Sequence, residues 1–503
     1  MPPTGYLTSV GVESCLQYLA ATYPGICQLI TLPETSIEGR TMRAVKLGSG
    51  GGAHRHGLLL LGGAHARELV PPDALVSLAF RLCQAYSAGT SLTFGGRTYA
   101  AGTIKLLIES LDTFILPLVN PDGRTFVQAP TGDAWWRKNR RPNPGGCVGV
   151  DLNRNYDFLW SSGIGTSASS CDYQIFKGTA PFSEPETRNV RWMLDAYPNI
   201  ECLVDVHSYS ELFLYPWGDD DNQTTDPSMN FMNPAYNGLR GTPGDSMYRE
   251  YIPAADLNWY VTSGGQVRTA IAAVRGHTYL LEQSVGLYPT SGTSDDYAYS
   301  RHFVDPSKAR VYAYTLEIGR EFQPVYGEAL QEIDETSSGL IQFAIQCLCA
   351  VETTALRSKR MVDVAHLRTW RARLEASVAG QRYLALEPVV SSALLARIGD
   401  DEALRHEAVG LLEGIVEAVA ADPEAPRMKA DLVDRAERLL ERLGAVDDPE
   451  VRSAVKVLQG ETRHFRDRTI PEGLKLASRG QEVPPTVAPP TSRRSHRPTD
   501  PDR

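Results

Sequence analysis

Three side chains of the types that bind transition metals stand in two short motifs of this chain. His65 and Glu68 lie three residues apart, where a tight turn or a first helical turn directs both side chains to the same side. His207 follows a short apolar segment and precedes Ser208-Tyr209-Ser210. Two histidines and one carboxylate are a known set of ligands for catalytic zinc, which keeps a further position for water. The sequence therefore predicts a hydrolytic metal centre made of His65, Glu68 and His207.

Four short apolar segments predict the strands that position these side chains, at residues 57–63, 114–119, 202–206 and 311–316. Polar residues follow three of them at once, namely Asn120, His207 and Glu317. Helical and strand-like segments alternate up to about residue 351, which predicts an α/β domain with a mostly parallel mixed sheet and flanking helices. Ligands bind beyond the carboxyl ends of strands in such sheets. We therefore expect Asn120, His207 and Glu317 to converge on one cleft.

The composition changes along the 503 residues of the chain. Residues 1–352 form the predicted catalytic domain. Residues 353–475 are rich in Ala, Leu, Arg and Glu, which predicts an all-helical C-terminal module whose role the sequence leaves open and for which a protein partner is one candidate. Residues 476–503 are rich in Pro, Ser, Thr and Arg, which predicts a disordered tail.

Charge and hydropathy exclude two classes of partner. The formal net charge of −10 argues against nucleic acid, because phosphate binding requires clustered Lys and Arg. No apolar segment reaches the length of about 20 residues that spans a membrane. The N-terminal residues carry no basic and apolar pattern of a secretory signal, so we expect a cytoplasmic location by default, with secretion by another route left open.

Six of the eight cysteines fall into two groups. Cys15, Cys27, Cys83 and Cys202 lie in apolar surroundings and are interpreted as buried free thiols. Cys147 and Cys171 flank a Gly/Ser-rich segment, so a disulfide and two free thiols remain equal alternatives until the redox environment is known.

Six motifs together resemble one family. They are His65-Ala66-Arg67-Glu68, Asn120-Pro121-Asp122-Gly123, Trp136-Arg137-Lys138-Asn139-Arg140, Asp151-Leu152-Asn153-Arg154-Asn155, His207-Ser208-Tyr209 and Glu317. Their order and approximate spacing resemble those of the zinc metallocarboxypeptidases, which include the pancreatic A/B-type enzymes and bacterial relatives. The resemblance implies one Zn²⁺ per chain and hydrolysis of the C-terminal bond of peptides or proteins.

The resemblance also implies the catalytic groups. Glu317 matches the general base, which takes a proton from the attacking water and passes it to the leaving amine. Without the family, a strand-ending Glu317 that pairs with Arg320 is the alternative. Arg140 matches the arginine that stabilises the oxyanion, with Arg137 as its neighbour in the site.

The substrate-binding residues follow from the same comparison. Asn153 and Arg154 match the pair that binds the free α-carboxylate, since a guanidinium suits a planar carboxylate. A solvated loop arginine is the alternative for Arg154. Arg67 and Tyr209 are expected to line outer subsites for the peptide chain.

Three more residues are assigned by resemblance. Tyr288 matches the tyrosine of a mobile lid that closes over the substrate. Asp151 matches the carboxylate that hydrogen-bonds a zinc histidine and fixes the tautomer of His65. Asp295 falls where B-type enzymes carry an aspartate, which favours a C-terminal Lys or Arg; broad specificity remains the equal alternative, because one pocket residue rarely fixes substrate choice.

Two other functions remain open. One is a cell-wall or related amidohydrolase on the same scaffold, which applies if Asn153 and Arg154 bind no carboxylate. The other is a partner-binding protein in which the helical module recruits partners and peptidase activity is secondary.

Overall fold

A computed structural model describes residues 5–49, 55–348, 377–446 and 448–478, together with residues 354, 370, 373 and 374. The predicted boundary at 352/353 and most of the predicted tail lie outside these described residues, so the division into domains stays a prediction. None of the described helices is both long and apolar enough to cross a membrane.

Fourteen strands are described. In chain order they are β1 (Cys27–Thr31), β2 (Arg43–Leu47), β3 (His56–Gly62), β4 (Leu92–Phe94), β5 (Arg97–Tyr99), β6 (Leu111–Leu116), β7 (Ile200–His207), β8 (Leu212–Tyr215), β9 (Asn222–Gln223), β10 (Glu250–Tyr251), β11 (Leu280–Gln283), β12 (Tyr312–Glu317), β13 (Arg427–Met428) and β14 (Arg468–Thr469). Eight of them form one mixed sheet in the order β1-β2-β6-β3-β7-β12-β8-β11. The four central strands β6, β3, β7 and β12 are mutually parallel, so their carboxyl ends meet at one edge. The α/β fold with a mixed sheet is thereby confirmed.

Helices flank this sheet and continue after it. The first eight are α1 (Ser9–Thr22), α2 (Val70–Ala88), α3 (Ala101–Ser110), α4 (Pro121–Gln128), α5 (Pro185–Ala196), α6 (Ala254–Arg275), α7 (Ser294–Val304) and α8 (Tyr326–Gln346). The described C-terminal helices are α9 (Val378–Ile398), α10 (Glu402–Ala421), α11 (Ala430–Gly444), α12 (Pro449–Thr462) and α13 (Ile470–Ala477). The region after residue 377 is helical as expected, apart from the two-residue pair β13 and β14.

The central strands are buried on both faces. All residues of β6, and all of β3 except His56, are buried. Continuous apolar segments are typical of parallel strands covered by helices on both sides. The predicted strand at 114–119 begins and ends earlier in the structure, at Leu111 and Leu116, since Pro117 has no backbone N–H to donate to a ladder.

Helix α9 packs directly on the sheet domain. Its residues Leu395 and Ile398 are fully buried in the same apolar core as the central strands. Gln342 of α8 donates a hydrogen bond to the Ser392 hydroxyl at 3.1 Å. Helix α9, the first described helix after α8, is therefore part of the wall of the sheet domain.

Two disulfides are present among the described cysteines. Cys147 and Cys171 are bonded with their Cα atoms 5.0 Å apart, which resolves the alternative left open by the sequence. The interpretation of Cys202 as a free thiol is wrong. Cys202 on β7 is bonded to Cys347 after α8, with Cα atoms 6.2 Å apart. A separation of 145 residues gives no local signal for this pair, which only the packing of α8 on the sheet creates.

Candidate active site

The ends of two central strands bring the three predicted metal ligands together. His65 and Glu68 lie in the turn between β3 and α2, and His207 is the last residue of β7. All three side chains are buried, and one ligand atom of each lies within 4.8 Å of those of the other two. Among the described residues this is the one such group of three or more His, Cys, Asp or Glu.

The donor atoms of this group fit a zinc ion. Nδ1 of His65 lies 2.7 Å from Oε1 of Glu68 and 3.0 Å from Nδ1 of His207, which is 3.1 Å from Oε2 of Glu68. Ligands of tetrahedral zinc at bonds near 2.0–2.2 Å lie roughly 3.3 Å from one another. The spacing of the two Nδ1 atoms and the carboxylate oxygens is therefore close to that of zinc ligands. Zn²⁺ is the cofactor that this group is positioned to bind.

Asp151 and Arg137 support His65 from behind. Oδ1 of Asp151 lies 3.2 Å from Nε2 of His65, and Arg137 donates two hydrogen bonds to Oδ2 of Asp151 at 3.0 and 3.1 Å. Burial by itself would raise the pKa of the Asp151 carboxyl, but Arg137 and His65 hold this pKa well below its usual range. Asp151 is thus an anion that accepts a hydrogen bond from the Nε2–H group of His65. This tautomer leaves Nδ1 of His65 free to bind the metal.

A cavity of about 290 Å³ opens beside the metal ligands. Its wall includes His65, Arg67, Glu68, Arg137, Asn153, Arg154, Gly165, Gln174, Ile175, Ser208, Tyr209, Leu287, Tyr288, Pro289, Glu317 and Phe322. Glu317 ends β12 directly beside His207, its partner in the parallel register with β7. Arg320, the alternative partner of Glu317, donates a hydrogen bond to Glu211 at 2.9 Å.

Asn153 and Arg154 reach the cavity from a short 3-10 turn, Leu152–Arg154. Arg154 is 3% exposed, so it is not a solvated loop arginine. Its Nε donates to the Gly165 carbonyl at 2.9 Å and its Nη1 to the Asn153 carbonyl at 2.7 Å, which fixes the guanidinium plane. The guanidinium lies 5.8 Å from the ring centre of Tyr288.

The ring of Phe322 contacts two other residues of the cavity wall. The guanidinium of Arg67 lies over the Phe322 ring at 4.2 Å, and the Tyr209 ring meets the same ring edge-on at 4.8 Å. Phe322 has no place among the predicted site residues, since a single phenylalanine in a loop carries no local signal. Arg67 and Tyr209 both face the cavity, as expected of subsite residues.

Two predicted positions fall elsewhere. Arg140 does not line the cavity: its guanidinium stacks 3.6 Å from the Phe126 ring and 4.8 Å from the Trp136 ring, beside Glu38. The loop turns between the two arginines, and Arg137 is the one that enters the site. Asn120 is fully buried and donates to the carbonyls of Ala64 and Lys138, each next to a site residue, so it holds loops and does not face the cleft.

Asp295 lies behind the cavity and not on its wall. It is 2% exposed in the first turn of α7, and its Oδ2 accepts a 3.4 Å hydrogen bond from Ser284. Burial raises the pKa of its carboxyl. The next carboxylate, Asp296, is fully buried and accepts from the Gly218 amide.

Asp205 is a site residue that the sequence interpretation missed. Its Oδ2 lies 3.2 Å from Nε2 of His207 and accepts a 2.5 Å hydrogen bond from the Ser294 hydroxyl. The signal was present, because side chains two apart on a strand share one face and Asp205 precedes His207 by two.

Known proteins are similar to this chain in sequence or in fold. Carboxypeptidase B of Astacus astacus is 31% identical over 319 residues, which are 63% of this chain and 86% of that protein. Carboxypeptidase A4 of Mus musculus is 28% identical over 302 residues, 60% of this chain, and the chain spans 59% of that protein. Among solved structures, carboxypeptidase A from Helicoverpa armigera matches with a TM-score of 0.53 at 25% identity, over 71% of this chain and 75% of that one.

A second solved structure shows the same fold. Thrombin-activatable fibrinolysis inhibitor matches with a TM-score of 0.53 at 22% identity, over 67% of this chain and 73% of that one. The profile described as zinc carboxypeptidase matches residues 12–338, a span that contains all three metal ligands and Glu317. Since that match covers more than half of the chain, the protein belongs to the zinc carboxypeptidase family.

Proposed function

We propose that the protein removes the C-terminal residue of peptides or proteins by hydrolysis, with Glu317 as general base. The observation that carries the proposal is the composition of one cavity wall. The metal ligands His65 and Glu68, the carboxylate Glu317 and the pair Asn153 and Arg154 all face the same space of about 290 Å³. These are the groups needed to activate water and to bind a terminal carboxylate.

The residues of the cavity divide the chemistry among them. Zinc, when bound, supplies a Lewis acid that lowers the pKa of water and polarises the scissile carbonyl. Glu317 accepts a proton from the attacking water as the new C–O bond forms, and donates it to the amine nitrogen as the C–N bond breaks. Arg137, which Asp151 holds in place, is the cation in the wall that faces the charge developing on the carbonyl oxygen.

Recognition of a free C-terminus depends on the fixed guanidinium. Arg154 is held by two backbone carbonyls and is nearly excluded from solvent. A substrate α-carboxylate adds a charged acceptor for this buried guanidinium, whose described hydrogen bonds go to neutral carbonyls. This favours an exopeptidase over an amidohydrolase that binds no carboxylate.

Replacing Glu317 tests the proposal most directly. We expect Glu317→Gln to retain one equivalent of zinc and to lose peptide hydrolysis by roughly 10²-fold to 10⁴-fold, because the amide cannot accept the proton. The matched control is Glu321→Gln, an exposed carboxylate four residues later, which should keep both zinc and activity. Zinc content by elemental analysis and hydrolysis of a C-terminal dipeptide substrate are measured together. Full activity of Glu317→Gln would contradict the assignment.

For the substrate side chain we propose a preference for Lys or Arg. Asp295 and Asp296 are adjacent in the first turn of α7 and at most 2% exposed, and burial raises the pKa of both carboxyls. A Lys or Arg side chain that enters beside them favours their ionised forms, because an opposite charge stabilises a carboxylate. The hydrogen bonds of Asp295 and Asp296 come from hydroxyls and a backbone amide, not from a described cation. Since Asp295 does not reach the wall, we expect a modest preference and not an absolute one.

The preference is measured as the ratio of kcat/KM for matched substrates ending in Lys and in Phe. We expect a ratio of roughly 3 to 10, which should fall toward one in Asp295→Asn because the ionisable carboxyl is removed. Faster cleavage of the Phe substrate by the unmodified protein would refute the basic preference and favour broad specificity.

A further inference from the structure

A second carboxylate lies behind the metal site, on the side opposite Asp151. Asp205 and His207 are two residues apart on β7, so their side chains share one face of the sheet. Both are buried, at 2% and 1% exposure. Oδ2 of Asp205 lies 3.2 Å from Nε2 of His207, the same distance that separates Asp151 from Nε2 of His65.

The orientation of the His207 ring shows which of its nitrogens is the donor to Asp205. Nδ1 of His207 faces His65 and Glu68, at 3.0 and 3.1 Å, so the metal takes Nδ1 and the ring proton resides on Nε2. Among the described residues Nε2 makes no well-aligned hydrogen bond, and Asp205 is the acceptor at hydrogen-bond distance. A buried N–H without an acceptor is costly, and Oδ2 of Asp205 is the acceptor within reach.

Asp205 is itself anchored by a residue of α7. The Ser294 hydroxyl donates to Oδ2 of Asp205 at 2.5 Å, and the Ser294 backbone amide donates to Oδ1 of Asn153 at 2.9 Å. The backbone N–H of Asn153 in turn donates to Oδ1 of Asp151 at 3.0 Å. A continuous chain of contacts thus runs from His207 through Ser294 and Asn153 to His65.

Charge balance agrees with this arrangement. Glu68, Asp151 and Asp205 place three buried carboxylates around two histidines. The guanidinium of Arg137 contacts Asp151 and offsets one of them. Zinc, when bound, would supply the charge that offsets Glu68 and Asp205, in accord with the rule that buried charges are paired.

We infer that Asp205, held by Ser294, is the positioning carboxylate of His207, so that each zinc histidine has its own anionic acceptor and the second one is linked to the substrate-binding residue Asn153. The inference rests on the zinc peptidase function proposed above. Acceptors behind a zinc histidine orient the ring and raise its basicity, and their loss typically weakens metal binding 10-fold to 100-fold.

The test measures zinc affinity by competition with a chromogenic chelator, together with the visible spectrum of the Co²⁺-substituted protein. We expect Asp205→Asn to weaken zinc binding by roughly 10-fold to 100-fold and to shift the Co²⁺ bands, as Asp151→Asn should do from the other side. Ser294→Ala keeps the backbone contact to Asn153 and should cause a smaller loss. That loss should vanish when Asp205 is already Asn, because the two act through one contact.

Asp256→Asn is the control for a merely structural effect. Asp256 is buried and accepts hydrogen bonds from Tyr299 at 2.7 Å and Arg310 at 2.8 Å, without contact to the metal group. We expect it to lower Tm while zinc affinity changes by less than about twofold, since independent sites do not couple. Zinc affinity of Asp205→Asn within about twofold of the unmodified protein, beside a clear loss in Asp151→Asn, would overturn the inference.

Two further outcomes separate the possible failures. If Asp205→Asn does not fold, an unchanged affinity and Co²⁺ spectrum in Ser294→Ala overturns the inference by itself. Zinc binding is measured without substrate. Weakened binding in Asp205→Asn therefore supports the inference even if the unmodified protein fails to hydrolyse peptides, a failure that concerns the proposed function alone.

Discussion

Arg137 and Arg140 leave the same loop in different directions, and their surroundings assign them different tasks. Arg137 lines the cavity and is paired with Asp151. Arg140 lies over the rings of Phe126 and Trp136. Burial lowers the pKa of Arg140, against the opposing effect of Glu38. We therefore propose Arg137, and not Arg140, for the oxyanion role that the resemblance implied for Arg140.

A pair of matched substitutions separates these tasks. We expect Arg137→Gln to lower kcat by roughly 10²-fold to 10³-fold, because it removes a fixed donor that faces developing negative charge. Arg140→Gln should keep kcat and lower the free energy of unfolding by about 1 kcal/mol through the lost cation–π contacts. Steady-state kinetics and urea unfolding measure the two effects, with zinc content checked in both variants. A larger loss of kcat in Arg140→Gln would restore the original assignment.

Helix α8 carries a buried acid beneath the turn that follows Glu317. Glu332 is 2% exposed, and a side chain at Gly319 would collide with its carboxylate, since an added Cβ would lie 2.2 Å from Oε1. Burial, with Glu328 and Glu335 on the same helix, raises the pKa of Glu332 to about 8. Gly319 also has a φ of 66°, which favours glycine at this turn.

This raised pKa makes stability depend on pH in a definite direction. Below the unfolded pKa of 4.5 the group is protonated in both states and has no effect. Between that value and about 8 the unfolded chain releases the proton and the folded protein retains it, so stability falls as pH rises and the loss is complete above about 8.

Glu332→Gln removes the ionisation. We expect the variant to be as stable as the unmodified protein near pH 5 and more stable, by a few kcal/mol at about pH 8.5, because glutamine is neutral throughout. Glu424→Gln is the control, since its side chain is 82% exposed and Glu424 is not one of the groups that raise the pKa of Glu332. Urea unfolding across this pH range gives the comparison. The same pH dependence in Glu332→Gln and the unmodified protein would refute the pKa assignment.

The packing of α9 joins the C-terminal helices to the sheet domain. Gly399, just after α9, approaches the backbone of Gly102 so closely that an added Cβ would lie 2.5 Å from the Gly102 carbonyl oxygen. The Gly102 amide donates to Asp400 at 2.9 Å, and the Thr103 hydroxyl donates to the Ala396 carbonyl at 3.1 Å. This contact has no room for a side chain.

Two alanine substitutions test whether the regions unfold together. Gly399→Ala should lower Tm, since its methyl group forces the two backbones apart. Gly460→Ala in α12 meets nothing within 4 Å and should leave Tm unchanged or raise it, because alanine favours helix by up to about 1 kcal/mol. Calorimetry measures both. An unchanged Tm in Gly399→Ala would show that the C-terminal helices do not stabilise the sheet domain.

Most of the site was predictable because its signals are local. His65 and Glu68 share a turn, and His207 and Glu317 end apolar segments that could only be strands. Parallel strands place such ends at one edge, so the cleft followed from patterns within the chain. The helical character of the C-terminal region was also predictable, since composition reports it.

Long-range packing decided the rest. No sequence pattern predicts the disulfide between Cys202 and Cys347 or the hydrogen bond from Ser294 to Asp205. None predicts that Arg137, and not Arg140, lines the cavity. Each of these contacts depends on how separate elements pack together. The sequence does not say which residue a polar side chain two positions from a metal ligand will contact. Only the closed arrangement of β7, α7 and the loop at Asp151 gives Asp205 its place behind His207, since burial leaves it no solvent and few neighbours.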